Sequence, residues 1–293
     1  MKNEIVSKYI QEIINKNNDA SEIWKKQFLY NPSQEHDSYE LDPLNEEDKS
    51  VRPHHNIIHK YPNKILILIT NKCPVFCRFC TRKRNAFEEN GISVPSADDI
   101  NDYLDKNKNI HELIISGGDP FTVDSEKLYE FIKKVLSHSN QIKYLRYHTR
   151  CATTLPKFCI NKYDTLEKLV EVFPMVTHSV VFHINHHLEI TKETNEIFEK
   201  LLSFQYRLFS QTVLLKDINN CPNILKRLFE MLIKFKVQPY YLHQLDRAKG
   251  SKYFEVSLEE GLKIMEQLKL LLPSYFLPRY VRDSSRGKKN LFY

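Results

Sequence analysis

From residue 61 onward, short apolar runs rich in β-branched residues alternate with amphipathic stretches long enough for helices. The runs KILILIT (64–70), ELIISGG (112–118), YLRYHT (144–149), HSVVFHIN (178–185), RLFSQTVLL (207–215) and VQPYYLHQL (237–245) predict strands. Between and after them, DSEKLYEFIKKVLSH, TLEKLVEVF, ETNEIFEKLLSF, CPNILKRLFEMLIKF and SLEEGLKIMEQLKLLL predict helices, most of them opening on a capping residue. Six such βα units argue for an α/β fold with a parallel sheet, either curved into a barrel or open and doubly wound. Ahead of them, residues 1–30 read as helical around Ile5, Tyr9, Ile13 and Ile14, and 31–58 as a polar, proline-bearing extended stretch. The pattern thus predicts a helical and extended arm, 1–58, followed by one α/β unit, 59–293.

Both sheet architectures gather their chemistry at the carboxyl ends of the strands. Cys73, Gly117-Gly118-Asp119, Arg150, Asn185-His186 and Asp246 all fall at such ends. Composition adds few constraints. A chain of 293 residues, 41% hydrophobic, can bury a large core, and no stretch reaches the roughly 20 apolar residues that span a bilayer. The amino terminus, MKNEIVSKYIQEIINKNN, lacks the apolar centre of a signal peptide, so a cytoplasmic protein without membrane attachment is expected. The six cysteines are then expected to be reduced. The net charge of +6 is spread along the chain without an arginine-rich or aromatic-interleaved patch, which argues against a nucleic-acid partner.

Three of the six cysteines crowd into CPVFCRFC, as Cys73, Cys77 and Cys80. A structural zinc site wants four ligands; no second C-x2-C pair exists, and His54, His55 or His148 would have to complete it. A four-iron cluster held by three thiolates leaves one iron open to an exogenous ligand, which accounts for the missing fourth cysteine. C-x3-C-x2-C after the first predicted strand resembles the radical S-adenosylmethionine superfamily, with Phe79 as the aromatic before the last cysteine. Glycine is scarce here, six residues in all, so the pair Gly117-Gly118 before Asp119 marks a place where backbone comes close to something. On this resemblance that segment binds the methionine moiety. Cys151, Cys159 and Cys221 read as packing thiols.

The blocks ELDPLNEEDKS, HKYPNKILILITNKCPVFCRFCTRKR, ISGGDP, YHTR, FHINHHLEIT, SQTVLLKDIN and QPYYLHQLD resemble, in order, those of the lysine 2,3-aminomutase family, from about residue 40 onward. The resemblance implies a partial (βα)6, TIM-like barrel holding a [4Fe-4S] cluster, S-adenosylmethionine and pyridoxal phosphate, and conversion of L-lysine to β-lysine. It implies a one-electron donor such as flavodoxin or ferredoxin, and leaves a homo-oligomer open. Carried over residue by residue, Cys73, Cys77 and Cys80 hold the cluster. Arg82 binds the substrate carboxylate, and Asp246 and Asp283 the distal ammonium. Gly117, Gly118, Asp119, Lys60, Tyr61, Lys64, Arg150, His183, Asn185 and Gln211 contact cofactors, with lysine at 60 and 64 where the family often has arginine. Lys288 after Gly287, with Lys289 as rival, is the lysine for pyridoxal phosphate, although the tail DSSRGKKNLFY departs from the family's pattern.

Two further readings stay open at this point. A relative in the same family makes β-lysine for a translation elongation factor, and a radical enzyme without pyridoxal phosphate could act on a peptide or RNA. A non-catalytic iron–sulfur protein would leave Gly117-Gly118 and the paired aspartates without a purpose.

Overall fold

The computed structural model describes residues 6–29, 31, 38–87, 91–160, 163–284 and 290–293. Among these residues nine strands form one sheet in sequential order: β1 (Ile57–Tyr61), β2 (Lys64–Leu68), β3 (Glu112–Ser116), β4 (Tyr144–Thr149), β5 (Thr177–His183), β6 (Arg207–Leu214), β7 (Gln238–Gln244), β8 (Arg279–Arg282) and β9 (Asn290–Leu291). From β2 to β8 every pairing is parallel, while β1 and β9 close the two edges as antiparallel strands. The six predicted strands are β2 to β7, and β1, β8 and β9 are additional. Among the described residues the sheet does not close on itself, and the fold is an α/β, partial TIM-like barrel.

Helices α1 (Lys8–Ile14) and α2 (Asp19–Phe28) form the arm, and α3 (Ala97–Lys106), α4 (Ser125–His138), α5 (Cys151–Thr154), α6 (Pro156–Ile160), α7 (Tyr163–Val172), α8 (Lys192–Ser203), α9 (Pro222–Lys234) and α10 (Leu258–Leu271) follow the strands. The expected single helical segment at the amino terminus is two helices. Asn17 takes a positive φ of 48°, and Asn18 with Ser21 forms a capping box that starts α2 afresh. Helix α3, between β2 and β3, begins on the Ser96 cap and was not among the patterns read from sequence. Among the described residues no helix is long and apolar enough to cross a membrane.

Strand pleating sends alternate residues to opposite faces. Ile65, Ile67, Leu113, Ile115, Leu145, Tyr147, Val180 and Leu208 face the helices and are buried in one large apolar cluster. Their neighbours Leu66, Ile114, Arg146, His148, His183, Gln211 and His243 line the concave side. One irregularity adjusts this pattern: between Ser210 and Gln211 of β6, strand β7 carries an extra residue beside Pro239. Proline lacks the donor that a regular ladder needs, so a bulge is where a strand tolerates it. Tyr240 and Tyr241, their ring centroids 3.8 Å apart, both reach the concave side.

The arm packs onto the mouth of the barrel. Val6 bridges to Val75 in the cysteine loop, and Glu40 pairs with the loop after β7 through Glu40 N–H to Arg247 O (3.2 Å) and Lys249 N–H to Glu40 O (2.8 Å). Ile10, Trp24, Phe28 and Val75 form a separate buried apolar cluster there.

The loops after β2 and β3 touch at backbone distance. Gly118 N–H donates to Thr70 O (2.5 Å) and Asp119 N–H to Lys72 O (2.8 Å). A Cβ on Gly118 would overlap the Lys72 carbonyl, and one on Gly117 the Thr70 carbonyl, with Gly117 also at φ +116°. Gly118→Ala is therefore expected to cost about 3 kcal/mol in urea denaturation and to displace the loop that carries the cysteines, lowering iron uptake on reconstitution. Unchanged stability and iron content would contradict this account of the loop contact.

Candidate functional site

The concave face encloses a cavity of ≈ 430 Å³ at the carboxyl ends of the strands. Cys73, Cys77 and Cys80 line it together with Gly117, Gly118, Asp119, Arg82, Asp246 and Asp283. The loop from Thr70 to Cys80 leaves β2, is pinned by the Gly118 and Asp119 contacts, and tightens where Cys80 N–H donates to Cys77 O (3.0 Å). Burial pushes the Cys73 thiol far up, with the Asp119 carboxyl adding to it, and pushes Cys77 up to about 11 against the opposing pull of Arg150. Thiols held protonated in this way are poor free nucleophiles, and a metal that binds them has to displace their protons. Among the described residues no three His, Cys, Asp or Glu side chains converge on a single ion. His148 lines the same cavity as the three cysteines, and a cluster, unlike a single zinc ion, spreads its thiolates over several irons.

Asp119 does more for the scaffold than for the cavity. Its buried carboxylate accepts from Thr149 Oγ1 (2.8 and 3.0 Å), Arg150 N–H (2.6 Å), Cys151 N–H (3.0 Å) and Phe121 N–H (3.1 Å), so it ties the end of β3 to the start of α5. Burial raises its carboxyl, and these donors oppose the rise.

Arg150, expected to contact a cofactor, lines the cavity and is also held by the protein's own groups. Its Nη1 donates to Cys77 Sγ (2.9 Å), and its Nη2 to Gln27 Oε1 (2.6 Å) and to Glu189 (3.3 and 3.4 Å). Its Nε is buried without an acceptor among the described residues. A buried cation on a cysteine sulfur, with one donor unspent, suits the sulfur-rich, negatively charged surface of an iron–sulfur cluster.

Asn185 is tied into the scaffold. It is fully buried, donates from Nδ2 to Gln27 Oε1 (3.0 Å) and accepts from Val213 N–H (2.9 Å), which knits β5, β6 and α2 together. His183 and Gln211 do line the cavity. Burial, with Arg150 nearby, holds the His183 ring well below its ordinary value, so it stands neutral, and its Nε2 lies 3.1 Å from Asn185 Oδ1.

Arg82 meets a partner that the sequence reading missed. Its Nε and Nη2 donate to the two oxygens of Glu46 (both 2.7 Å), a buried carboxylate in the DPLNEED stretch. A substrate carboxylate would have to bind at the guanidinium's remaining edge, Nη1. Burial alone would raise the Glu46 carboxyl, but Arg82, helped by Lys60 and Arg84, outweighs it and leaves it lowered. Lys60 donates to Leu44 O (2.5 Å), and burial pushes its ammonium below the ordinary value despite Glu46. Asp283 is within electrostatic reach of both Lys60 and Arg82, and its Oδ2 lies 3.8 Å from His243 Nδ1.

At the other end of the cavity Lys64 stands over the Tyr61 ring (4.4 Å). Arg146 donates to Glu112 (2.8 Å) and keeps a buried Nε without an acceptor among the described residues, beside Tyr240 and Tyr241. This cationic, aromatic wall fits a phosphate-bearing aromatic cofactor. Lys288 and Lys289 lie outside the described residues. Arg146 and His243 were missed, and His148 was weighed only as a zinc ligand, although polar residues at alternate positions of apolar strands mark an inward face.

The family model of the Radical SAM superfamily matches residues 67–208. The chain is 34% identical to the L-lysine 2,3-aminomutase of Haemophilus influenzae over 84% of its own length and 71% of that protein's. It belongs to the lysine 2,3-aminomutase family of radical S-adenosylmethionine enzymes. The L-lysine 2,3-aminomutase of Methanococcus maripaludis is 35% identical, covering 84% of this chain and 55% of its own, and the glutamate 2,3-aminomutase of Clostridioides difficile 33%, covering 86% and 58%. The chain thus spans little more than half the length of those two. Among solved structures, anSMEcpe with bound AdoMet shares the fold, with a TM-score of 0.52 at 12% identity over 72% of this chain and 58% of that one. Membership in this superfamily implies a [4Fe-4S] cluster and S-adenosylmethionine.

The Arg82–Glu46 pair carries a test. Since the folded Glu46 value is the lower one, its contribution is complete above the ordinary glutamate value of about 4.3 and is lost as pH falls through the lowered folded value. Glu46→Gln is expected to cost about 3 kcal/mol at pH 7, with the gap to the parent narrowing below pH about 4. Urea denaturation from pH 3 to 8 measures both, and equal stabilities at pH 7 would refute the pairing.

Proposed function

We propose that this chain moves the α-amino group of L-lysine to the β carbon, forming β-lysine. The observation that carries this reading is the meeting, in one cavity, of three cysteines, an arginine and two aspartates: Cys73, Cys77, Cys80, Arg82, Asp246 and Asp283. When bound, S-adenosylmethionine on the cluster supplies a radical able to take hydrogen from an unactivated carbon, and pyridoxal phosphate supplies an electrophilic carbon for the migrating nitrogen.

The protein's own contribution is binding and orientation. Arg82, held rigid by Glu46, would fix the substrate carboxylate through a planar guanidinium. Asp246 and Asp283 would hold the distal ammonium. A second carboxylate in place of that ammonium would meet two negative charges in a partly dehydrated cavity, so this pair supports lysine over glutamate. Lys60, Tyr61, Lys64 and Gln211, joined by Arg146, are the proposed contacts of pyridoxal phosphate, with Lys288 or Lys289 as its covalent partner. Gly117 and Gly118 remain proposed for the methionine moiety. A ferredoxin or flavodoxin is the proposed one-electron donor.

Asp246→Ala and Asp283→Ala are each expected to lower lysine turnover about 100-fold, equivalent to about 2.7 kcal/mol, while S-adenosylmethionine cleavage is retained. Unaltered lysine kinetics in both variants would remove the ammonium assignment. Independently, borohydride reduction of the protein reconstituted with cluster and pyridoxal phosphate, followed by peptide mass spectrometry, should label Lys288 or Lys289. An intact cluster with no labelled lysine would replace the aminomutase reading with a radical enzyme that works without pyridoxal phosphate.

A further inference from the structure

The arm and the cysteine loop are joined by more than apolar packing. Helix α2 ends against the loop, and its last carbonyls, which lack partners within the helix, are taken by Arg78. That residue donates its backbone N–H to Gln27 O (3.1 Å) and its Nη1 to Lys26 O (2.9 Å). A cation is the favoured neighbour of a helix carboxyl end. One residue of that last turn, Gln27, is itself fully buried and reaches past the loop into the barrel.

We propose that Gln27 is a positioning residue for Arg150, and that through Arg150 the amino-terminal arm sets how readily a cluster on Cys73, Cys77 and Cys80 accepts an electron. The proposal rests on the reading of those cysteines as cluster ligands. It starts from the orientation of one amide. Gln27 Oε1 accepts from Arg150 Nη2 (2.6 Å) and from Asn185 Nδ2 (3.0 Å), while Gln27 Nε2 donates to Glu189 Oε1 (2.9 Å) and Ile23 O (3.3 Å). The flipped amide would set donor against donor at Arg150 and acceptor against acceptor at Glu189, so only one orientation is satisfied.

With that corner of the guanidinium fixed, its planarity fixes the opposite corner. Nη1 then sits 2.9 Å from Cys77 Sγ. The plane is held laterally by two rings, Phe28 of α2 at 4.7 Å and Phe79 of the cysteine loop at 5.6 Å. Glu189, fully buried, supplies the countercharge from behind.

The electrostatic consequence has a definite sign. Reduction adds one electron, supplied by the external reductant, to the cluster and its sulfurs. A hydrogen bond to a ligating sulfur and a buried cation beside it both favour the reduced form. Arg150 therefore raises the reduction potential, Gln27 keeps it placed to do so, and Glu189 partly offsets it.

The test uses the full chain, reconstituted anaerobically with ferrous iron and sulfide, without S-adenosylmethionine or lysine. Iron is counted, and the reduced cluster is followed by electron paramagnetic resonance during potentiometric titration with dithionite. At the parent's midpoint, Gln27→Met and Arg150→Met are each expected to lower the reduced-to-oxidised ratio about tenfold, which for one electron is about 59 mV. In the double variant the shift should be no larger than for Arg150→Met alone, because Gln27 acts through Arg150. Additive shifts, or an unmoved potential in either single variant, overturn the proposal.

Should Gln27→Met hold no cluster, Glu189→Gln and Arg150→Lys carry the test. The first, which keeps shape and removes the countercharge, should raise the ratio; general damage to the fold would not. The second, which keeps the charge and loses the fork, should lower it, and an unmoved potential in either overturns the proposal. If the parent itself takes up no cluster of about four irons, the cluster reading fails and this inference falls with it; an intact parent cluster with unmoved variants condemns the inference alone.

Discussion

Everything in the cavity depends on the contact between the loops after β2 and β3. Two glycines let the strand ends approach until Gly118 and Asp119 donate to the carbonyls of Thr70 and Lys72, directly ahead of Cys73. A loop with three cysteines is otherwise free to place its sulfurs in many ways, and fixing its first three residues to a sheet edge removes most of that freedom. Asp119 extends the constraint to a third strand by accepting from Thr149, Arg150 and Cys151. Three consecutive strand ends are thereby set relative to one another by hydrogen bonds that require no bound cofactor. The glycines that looked like a ligand cradle are thus first of all a condition for the scaffold, and any ligand that binds them meets backbone already held in place.

The second organising feature is the disposal of charge. A parallel sheet covered by helices on one face normally buries apolar side chains on both. Here the concave face also carries Arg146, His148, His183, Gln211 and His243, beside Leu66 and Ile114. Such a face is stable only where each charge finds a partner or stays near water. The described residues meet that condition in separate groups: Arg82 with Glu46, Arg146 with Glu112, and Arg150 with Glu189 and Gln27. In each, part of the guanidinium is spent on the protein's own acceptor. That arrangement keeps the cation rigid while leaving another edge for a substrate or cofactor group.

How much of this could be read from the sequence follows the range of the interactions. The six strands β2 to β7 and five of the helices were legible because hydrophobic periodicity is local, and so was C-x3-C-x2-C, whose cysteines share one loop. β1 and β9 were not, since antiparallel edge strands of five and two residues carry little pattern. Residue roles were hardest where the deciding partner is distant in sequence. For Arg150, nothing nearby in sequence pointed to Gln27, 123 residues earlier, or to Cys77, 73 residues earlier, which engage it. Glu46 lay in a stretch quoted for its resemblance, yet nothing local said that it would meet Arg82, 36 residues on. Lys288 and Lys289 rest on sequence alone.

The arm is the element whose meaning changes most. By sequence it is an amphipathic preface to the barrel, and its apolar residues do pack as one, around Trp24 and Phe28. Yet the same helix that contributes Phe28 to this packing sends Gln27 into a buried polar network on the other side of Cys77. Removing the arm would uncover the sulfur and also strand a buried arginine and glutamate without their shared amide, a far costlier change than losing apolar contacts alone. The placement of a buried cation beside Cys77 and the closing of the barrel mouth therefore depend on the same ten residues of α2.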